Sequence, residues 1–292
     1  LWSYRDFPLK LAELGLVHRH EKSGVLAGLL RVRSFHQDDA HIFCSTEEME
    51  DEIVAIVQLI LDMYRVFGFY DARMEVSTRP EKSIGSDEGW ALAESALESA
   101  LKRLDLPYDI NPGEGAFYGP KIDFHIRDAL KRTWQCGTVQ VDFSMPMRFE
   151  LEYTGSDGAK HTHVMIHRAI FGSLERFIAV LLENTGWALP LWLAPVQVKV
   201  LPISEKHLDY GRQVVENLLS RGARAELDER SEKIGQKIRQ ATAEKVPYML
   251  IVGGKEADSG TVSVRKRTEG DLGQRTVEGF LELFQEDVES RR

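Results

Sequence analysis

The chain has 292 residues, 43% hydrophobic and 28% charged, an ordinary globular composition whose length points to about two domains. No apolar run reaches the ~18–20 residues of a membrane helix, and two cysteines, Cys44 and Cys136, are too few for a disulfide framework, so a reducing cytoplasm is the expected setting. The net charge of −9 excludes a uniformly basic surface: from Ala194 onward basic and acidic groups balance at 17 each, the deficit lies in residues 1–193, and any polyanion would be met locally.

In chain order, the start at Leu1, with no methionine and no basic-then-apolar leader, reads as a fragment boundary. Residues 3–14 carry the spacing of a short amphipathic helix. Leu16–His20 and Leu30–Phe35 read as two strands joined by a glycine-bearing loop, and Ala40–Cys44 extends the second. Thr46 before a run of acids is an N-cap candidate, and Ile53, Ile56, Val57, Ile60, Leu61 and Tyr64 repeat at helical spacing. Arg73–Ser77 is a strand and Trp90–Leu104 a second helix. Strands are expected around Tyr108 and at Ala116–Phe124, Thr133–Asp142, Arg148–Tyr153 and Thr162–Ile166, then a helix at Ile170–Glu183. Residues 1–193 thus read as an α+β domain of antiparallel strands with helices on one side.

Gly186–Pro195, with two tryptophans and two prolines, reads as an ordered linker. Beyond it strand and helix mostly alternate: Val196–Leu201, a helix through Leu219, Ala223–Leu227, a helix at Lys233–Glu244, Tyr248–Val252, Val262–Arg267 and a final helix at Thr276–Val288. Residues 194–292 are a separate mixed or parallel α/β domain.

Three strings carry chemistry. The first runs Val17-His18-Arg19-His20-Glu21, then Leu30-Arg31-Val32-Arg33-Ser34-Phe35-His36-Gln37-Asp38-Asp39-Ala40-His41. Arginines inside a sheet are costly unless something anionic pairs with them. A nucleoside triphosphate would serve, with Phe35 as a stacking face. On the residues alone, a hairpin with surface arginines serves as well. The second string is Thr162-His163-Val164-Met165-Ile166-His167-Arg168, feeding Gly172-Ser173-Leu174-Glu175-Arg176. By itself, Arg176 on an apolar helix is a core-edge residue. The third is Gly113-Glu114-Gly115-Ala116-Phe117-Tyr118-Gly119-Pro120-Lys121-Ile122-Asp123-Phe124, followed by Gln135-Cys136-Gly137-Thr138-Val139-Gln140. Gln135 and Gln140 have opposite parity in a strand. A bulge near Gly137 would bring both to one site.

These strings resemble signature motifs of the class II aminoacyl-tRNA synthetases, and the Gln-Asp-Asp-Ala-His ending resembles the threonyl-tRNA synthetases. The resemblance spans essentially the whole chain. It implies a class II catalytic domain truncated at its start, lacking the editing region and the first motif, followed by an anticodon-binding domain. The activity implied is activation of L-threonine with ATP and transfer to the 3′ end of threonine tRNA. Arg19, Lys121, Gln135 and Arg176 would be catalytic. Arg19, Glu21, Arg31, Phe35 and Arg176 would bind ATP with Mg²⁺, and Gln37, Asp39, Tyr118 and Gln140 would bind threonine. His41 and His167 would be zinc ligands, the third being a cysteine absent from this chain. Cys44 and Cys136 read as small core residues. Glu256 and Arg265 would contact the anticodon, and the family member would be a homodimer. A truncated non-catalytic tRNA-binding module, and a class II synthetase of proline or glycine type, are the competing readings. Threonine-dependent exchange and metal content separate them.

Overall fold

A computed structural model describes residues 2–291, so the chain start at Leu1 lies outside the described residues. Two compact units are present, Leu1–Asn184 and Thr185–Arg292.

In chain order the first unit contains β1 (Trp2–Ser3), β2 (Leu9–His18), β3 (Ser34–Cys44), α1 (Met49–Val66), β4 (Arg73–Ser77), α2 (Asp87–Arg103) and β5 (Asp109–Asn111). It continues with β6 (Lys121–Arg127), β7 (Thr133–Asp142), α3 (Ser144–Arg148), β8 (Glu152–Thr154), β9 (Lys160–Thr162), β10 (Val164–Ala169) and α4 (Leu174–Asn184). Seven strands form one sheet in the order β2-β3-β10-β7-β6-β4-β5, antiparallel except for the β4–β5 pair. Helix α1 packs on β7 and β10, and α2 on β4 and β6. Ile53, Val57, Ile60 and Tyr64 lie one helical turn apart on α1 and are wholly buried. From the sheet, Val76, Ile122, Phe124, Val139 and Ile166 are equally buried.

The start of the chain differs from the expected helix. Tyr4–Asp6 is a single 3-10 turn capped by Ser3, and Leu9–His18 pairs along its whole length with β3. Leu11 and Leu14 mimic an i, i+3 pair but are both exposed, so the cross-strand ladder and not an apolar stripe decides the structure. Thr46 does not cap α1. Ser45 and Glu48 instead make reciprocal bonds, Ser45 N–H to Glu48 Oε2 at 2.9 Å and Glu48 N–H to Ser45 Oγ at 3.3 Å, so the helix starts at Met49. The strand expected from Leu30 begins only at Ser34, and that from Ala116 only at Lys121. The strand expected from Arg148 is preceded by α3, whose first turn is capped by Asp142 accepting from Ser144 N–H and Met145 N–H at 2.8 and 2.9 Å.

The second unit contains β11 (Val198–Pro202), α5 (Leu208–Ser220), β12 (Ala225–Leu227), α6 (Ile234–Ala243), β13 (Tyr248–Val252), α7 (Gly254–Ser259), β14 (Thr261–Lys266), β15 (Gly270–Thr276) and α8 (Val277–Glu289). Its sheet runs β12-β11-β13-β14-β15, parallel across the first three strands and antiparallel across the last two pairs. Period two sorts β13: Tyr248, Leu250 and Val252 join the core under α8, whereas Met249 packs with Leu201, Ala241 and Val246 on the other face. The short helix α7 and the glycine-bearing β15 carry too little apolar pattern to be read from sequence.

Candidate active site

Strand alternation places Phe35, Gln37, Asp39 and His41 on one face of β3, while Asp38, Ala40, Ile42 and Cys44 turn to the other and are buried. Pairing then carries that first face across the sheet. His41 lies opposite His167, His167 opposite Gln140, Gln140 opposite Lys121, and Lys121 opposite Ser77. One cross-strand row therefore links β3, β10, β7, β6 and β4. The next row holds Asp39, Ala169, Thr138, Asp123 and Glu75.

The bulge expected near Gly137 is present. Asp123 pairs with Thr138 but His125 pairs with Gln135, so β7 carries one extra residue there. It reverses the parity of Gln135, and Gln135 and Gln140 line the same cavity. Gly137 is required at this point: a Cβ would sit 2.7 Å from the Tyr64 hydroxyl and 3.0 Å from the Ile170 carbonyl oxygen.

That cavity is about 390 Å³ and mostly polar. Its lining includes Arg19, Glu21, Arg31, Phe35 and Arg176, together with Gln37, Asp39, Tyr118, Lys121, Gln135, Gln140 and His167. His41 is not in the lining; it adjoins through His167, the two rings meeting edge to face with centroids 4.6 Å apart. Arg176 is held by Leu30 O at 2.9 Å and Gln135 O at 2.8 Å, two carbonyls matched to a planar fork. Burial lowers its pKa from the ordinary value, and Arg31 and Arg19 nearby push the same way. A guanidinium so placed lacks a full counter-charge, as does an anion-binding site before its ligand arrives. Arg19 lies over Phe35, 5.3 Å from the ring centroid, and Arg31 pairs with Glu21 at 3.1 Å. The Tyr118 hydroxyl donates to Gln140 Oε1 at 2.8 Å.

Residues 1–185 match the family described as tRNA synthetase class II core domain (G, H, P, S and T), and residues 197–287 the one described as anticodon binding domain. The threonine–tRNA ligase of Caldanaerobacter subterraneus subsp. tengcongensis is 59% identical over 291 residues, covering 100% of this chain and 45% of that protein. The enzyme of the same name from Carboxydothermus hydrogenoformans is 56% identical over 292 residues, covering 100% of this chain and 46% of that protein. The crystal structure described as the RNA binding domain of threonyl-tRNA synthetase from Cryptosporidium parvum Iowa II superposes with a TM-score of 0.93 at 43% identity, over 98% of this chain and 72% of that one. The chain belongs to the threonyl-tRNA synthetase family. It spans about half the length of the curated relatives it matches.

Within this threonyl-tRNA synthetase core, the adjacent His41 and His167 imidazoles could supply two of the about three protein ligands that a catalytic zinc takes. Asp142, wholly buried, holds His167 Nε2 at 3.1 Å, the carboxylate–histidine arrangement that orients a ligating ring. Burial lowers the His41 pKa, and the neighbouring His167 adds to the effect, which favours the neutral ring. Among the described residues no third histidine, cysteine or carboxylate completes a metal-holding group. Both cysteines are core residues, buried and free, and burial pushes each thiol up to about 12.

Sequence reading missed the carboxylates behind the site. Asp38 accepts from Ile170 N–H at 2.8 Å, Phe171 N–H at 2.9 Å and Arg168 at 3.0 Å, tying β3 to the turn that leads into α4. Burial raises its pKa against the pull of those donors. Glu175 accepts from His36 N–H at 3.0 Å and fastens α4 to the same strand. Asp123 lies beneath Lys121 and Gln135. For Asp123 the signal was period two, which puts it on the face of Lys121.

In the second unit, Glu256 accepts from Gly253 N–H at 3.0 Å and from Ser263 Oγ at 2.8 Å. Burial opposes its ionisation, but these donors outweigh it and hold the carboxyl below its usual range. Ser263 and Arg265 share a face of β14, so Glu256 and Arg265 lie over one side of that sheet.

Proposed function

We propose that the chain, as the C-terminal part of a longer cytoplasmic homodimer, activates L-threonine with ATP and transfers it to the 3′ end of threonine tRNA. The observation that carries this reading is the convergence of Arg19, Arg31 and Arg176 with Gln37, Asp39, Tyr118, Gln140 and His167 on one cavity. Activation is an in-line displacement at the α-phosphate, so placement and charge neutralisation do most of the work. Arg19 would hold the α-phosphate and Arg31 with Arg176 the γ-phosphate, and Mg²⁺ brought with ATP would add positive charge against the polyphosphate. Phe35 would take the adenine and Glu21 its amino group. Arg31 and Glu21, which pair with each other, would each take their own end of ATP. Lys121 and Gln135, which line the same cavity, would assist where phosphate and carboxylate meet.

Asp39 would accept from the threonine hydroxyl, with Tyr118, Gln37 and Gln140 around it. A site built for a hydroxyl rejects the isostere lacking it by ~10⁴–10⁵, whereas a methyl-sized difference is worth only ~1–3 kcal/mol. Valine is refused here and serine is not. His41 and His167 would hold zinc with a third ligand that these residues do not supply; when bound, the ion would offer a Lewis-acid site to the amino and hydroxyl groups. Glu256 and Arg265 would read unstacked anticodon bases through their edges. The dimer is supported by the edge strand β2, which leaves Leu11, Leu14 and Leu16 exposed. No helix among the described residues is long and apolar enough to cross a membrane. The test is ATP–pyrophosphate exchange by the full-length protein: exchange with threonine and none with valine is expected. Exchange independent of threonine, or driven equally by proline or glycine, overturns the reading.

A further inference from the structure

Asp123 is a carboxylate only 3% exposed, in mid-strand on β6 between Ile122 and Phe124, both fully buried. Three side chains donate to it. Ser77 Oγ reaches Oδ2 at 2.8 Å from β4, Lys121 Nζ reaches the same oxygen, and Gln135 Nε2 reaches Oδ1. Gln135 comes within range only because of the bulge at Gly137. Asp123 itself does not line the cavity, yet two of its three partners do.

A buried charge of this kind is an expensive way to stabilise a sheet, since an apolar residue of similar size does as well. What it does supply is direction. The lysine ammonium sits on a flexible four-carbon stem and goes wherever negative charge is nearest. With a polyphosphate in the cavity, an unrestrained Lys121 would follow the phosphates. The Gln135 amide would be free to turn over.

We propose that Asp123 is the positioning residue of the adenylate-forming step: anchored from below by Ser77, it fixes the Lys121 ammonium and the Gln135 amide at the reacting carboxylate–phosphate junction. The proposal rests on the reading of this cavity as the threonine-activating site. Its consequence is a split between binding and rate. Losing the negative charge leaves nucleotide binding intact, because Lys121 can still meet phosphate, and removes an interaction aligned only for the transition state.

The test is threonine-dependent exchange and single-turnover adenylate formation on the full-length protein. Asp123→Asn should lower kcat at least 30-fold while KM for ATP and for threonine stays within threefold. In a Lys121→Met/Gln135→Ala background the same change should cost less than threefold more, because both groups that Asp123 fixes are already gone. A folded Asp123→Asn protein with kcat within threefold of wild type overturns the proposal, and so does an equal loss with and without Lys121 and Gln135. If Asp123→Asn does not fold, Ser77→Ala decides: a 3–10-fold fall in kcat at constant KM supports the proposal and an unchanged kcat refutes it. Wild-type protein inactive with threonine refutes the functional reading itself, a result distinct from an active wild type with an active Asp123→Asn.

Discussion

Tyr64→Phe is the sharpest probe of how the helical layer sets the site. The ring of Tyr64 is wholly buried, and its hydroxyl is shared by two backbone groups. It accepts from Gly137 N–H at 2.8 Å and donates to Ile170 O at 2.8 Å. Both groups lie at irregular points, the bulge of β7 and the turn after β10, where no ladder bond takes over. Burial holds the phenol well above its ordinary pKa, so the hydroxyl remains a donor at any working pH. Phenylalanine keeps the volume and the ring packing against Phe124 and Phe177.

The loss is therefore almost purely that of two hydrogen bonds. Each buried backbone group left without a partner costs about 1–3 kcal/mol, so the pair costs about 2–4 kcal/mol after local relaxation. For a unit of this size, 1 kcal/mol moves the midpoint by roughly 2–4 °C, so the expected fall is on the order of 4–16 °C. The assay is urea and thermal unfolding of wild type and variant, followed by the near-ultraviolet signal of the first unit. A loss below about 0.5 kcal/mol refutes the reasoning. It would mean that the bulge shifts to satisfy itself and does not depend on α1.

Arg176→Lys should lower exchange kcat by about 10²-fold, because an ammonium cannot span Leu30 O and Gln135 O as the guanidinium does; kinetics at saturating substrate check this. Gly172→Ala should destabilise the first unit by about 1–3 kcal/mol from its left-handed φ of +70° alone, with an added clash of Cβ 2.3 Å from Cys136 O, read as a lowered unfolding midpoint. His163 is buried and burial lowers its pKa, so the folded chain prefers the neutral ring. The unfolded chain takes up the proton first as pH falls below about 6.5, so stability is full above that pH and is lost beneath it, by up to about 1.4 kcal/mol per pH unit. His163→Phe should flatten that acid limb in unfolding curves recorded from pH 7.5 to 5.

Strands whose own apolar residues alternate or run together, Arg73–Ser77, Thr133–Asp142 and Tyr248–Val252, were legible to the residue. Elements held by partners distant in sequence were not. Leu9–His18 takes its conformation from β3, and its exposed leucines look helical until that neighbour is known. The site divides in the same way. Residues that face a ligand sit in recognisable strings, because chemistry constrains both their type and their order. Residues that hold them sit wherever the register happens to deliver a side chain. Asp123 shows why that second set is hard to read. Its strand alone shares a face with Lys121, which spacing reveals, but Ser77 and Gln135 arrive from two other strands, one of them through an extra residue. A shift of β7 by one residue would turn Gln140 and Thr138 away from the cavity and leave Asp123 with a buried charge and fewer donors. The bulge at Gly137 therefore couples two requirements that the sequence writes in separate places: the glycine that lets α1 close on the sheet also brings Gln135 to the side of the sheet that Gln140 occupies.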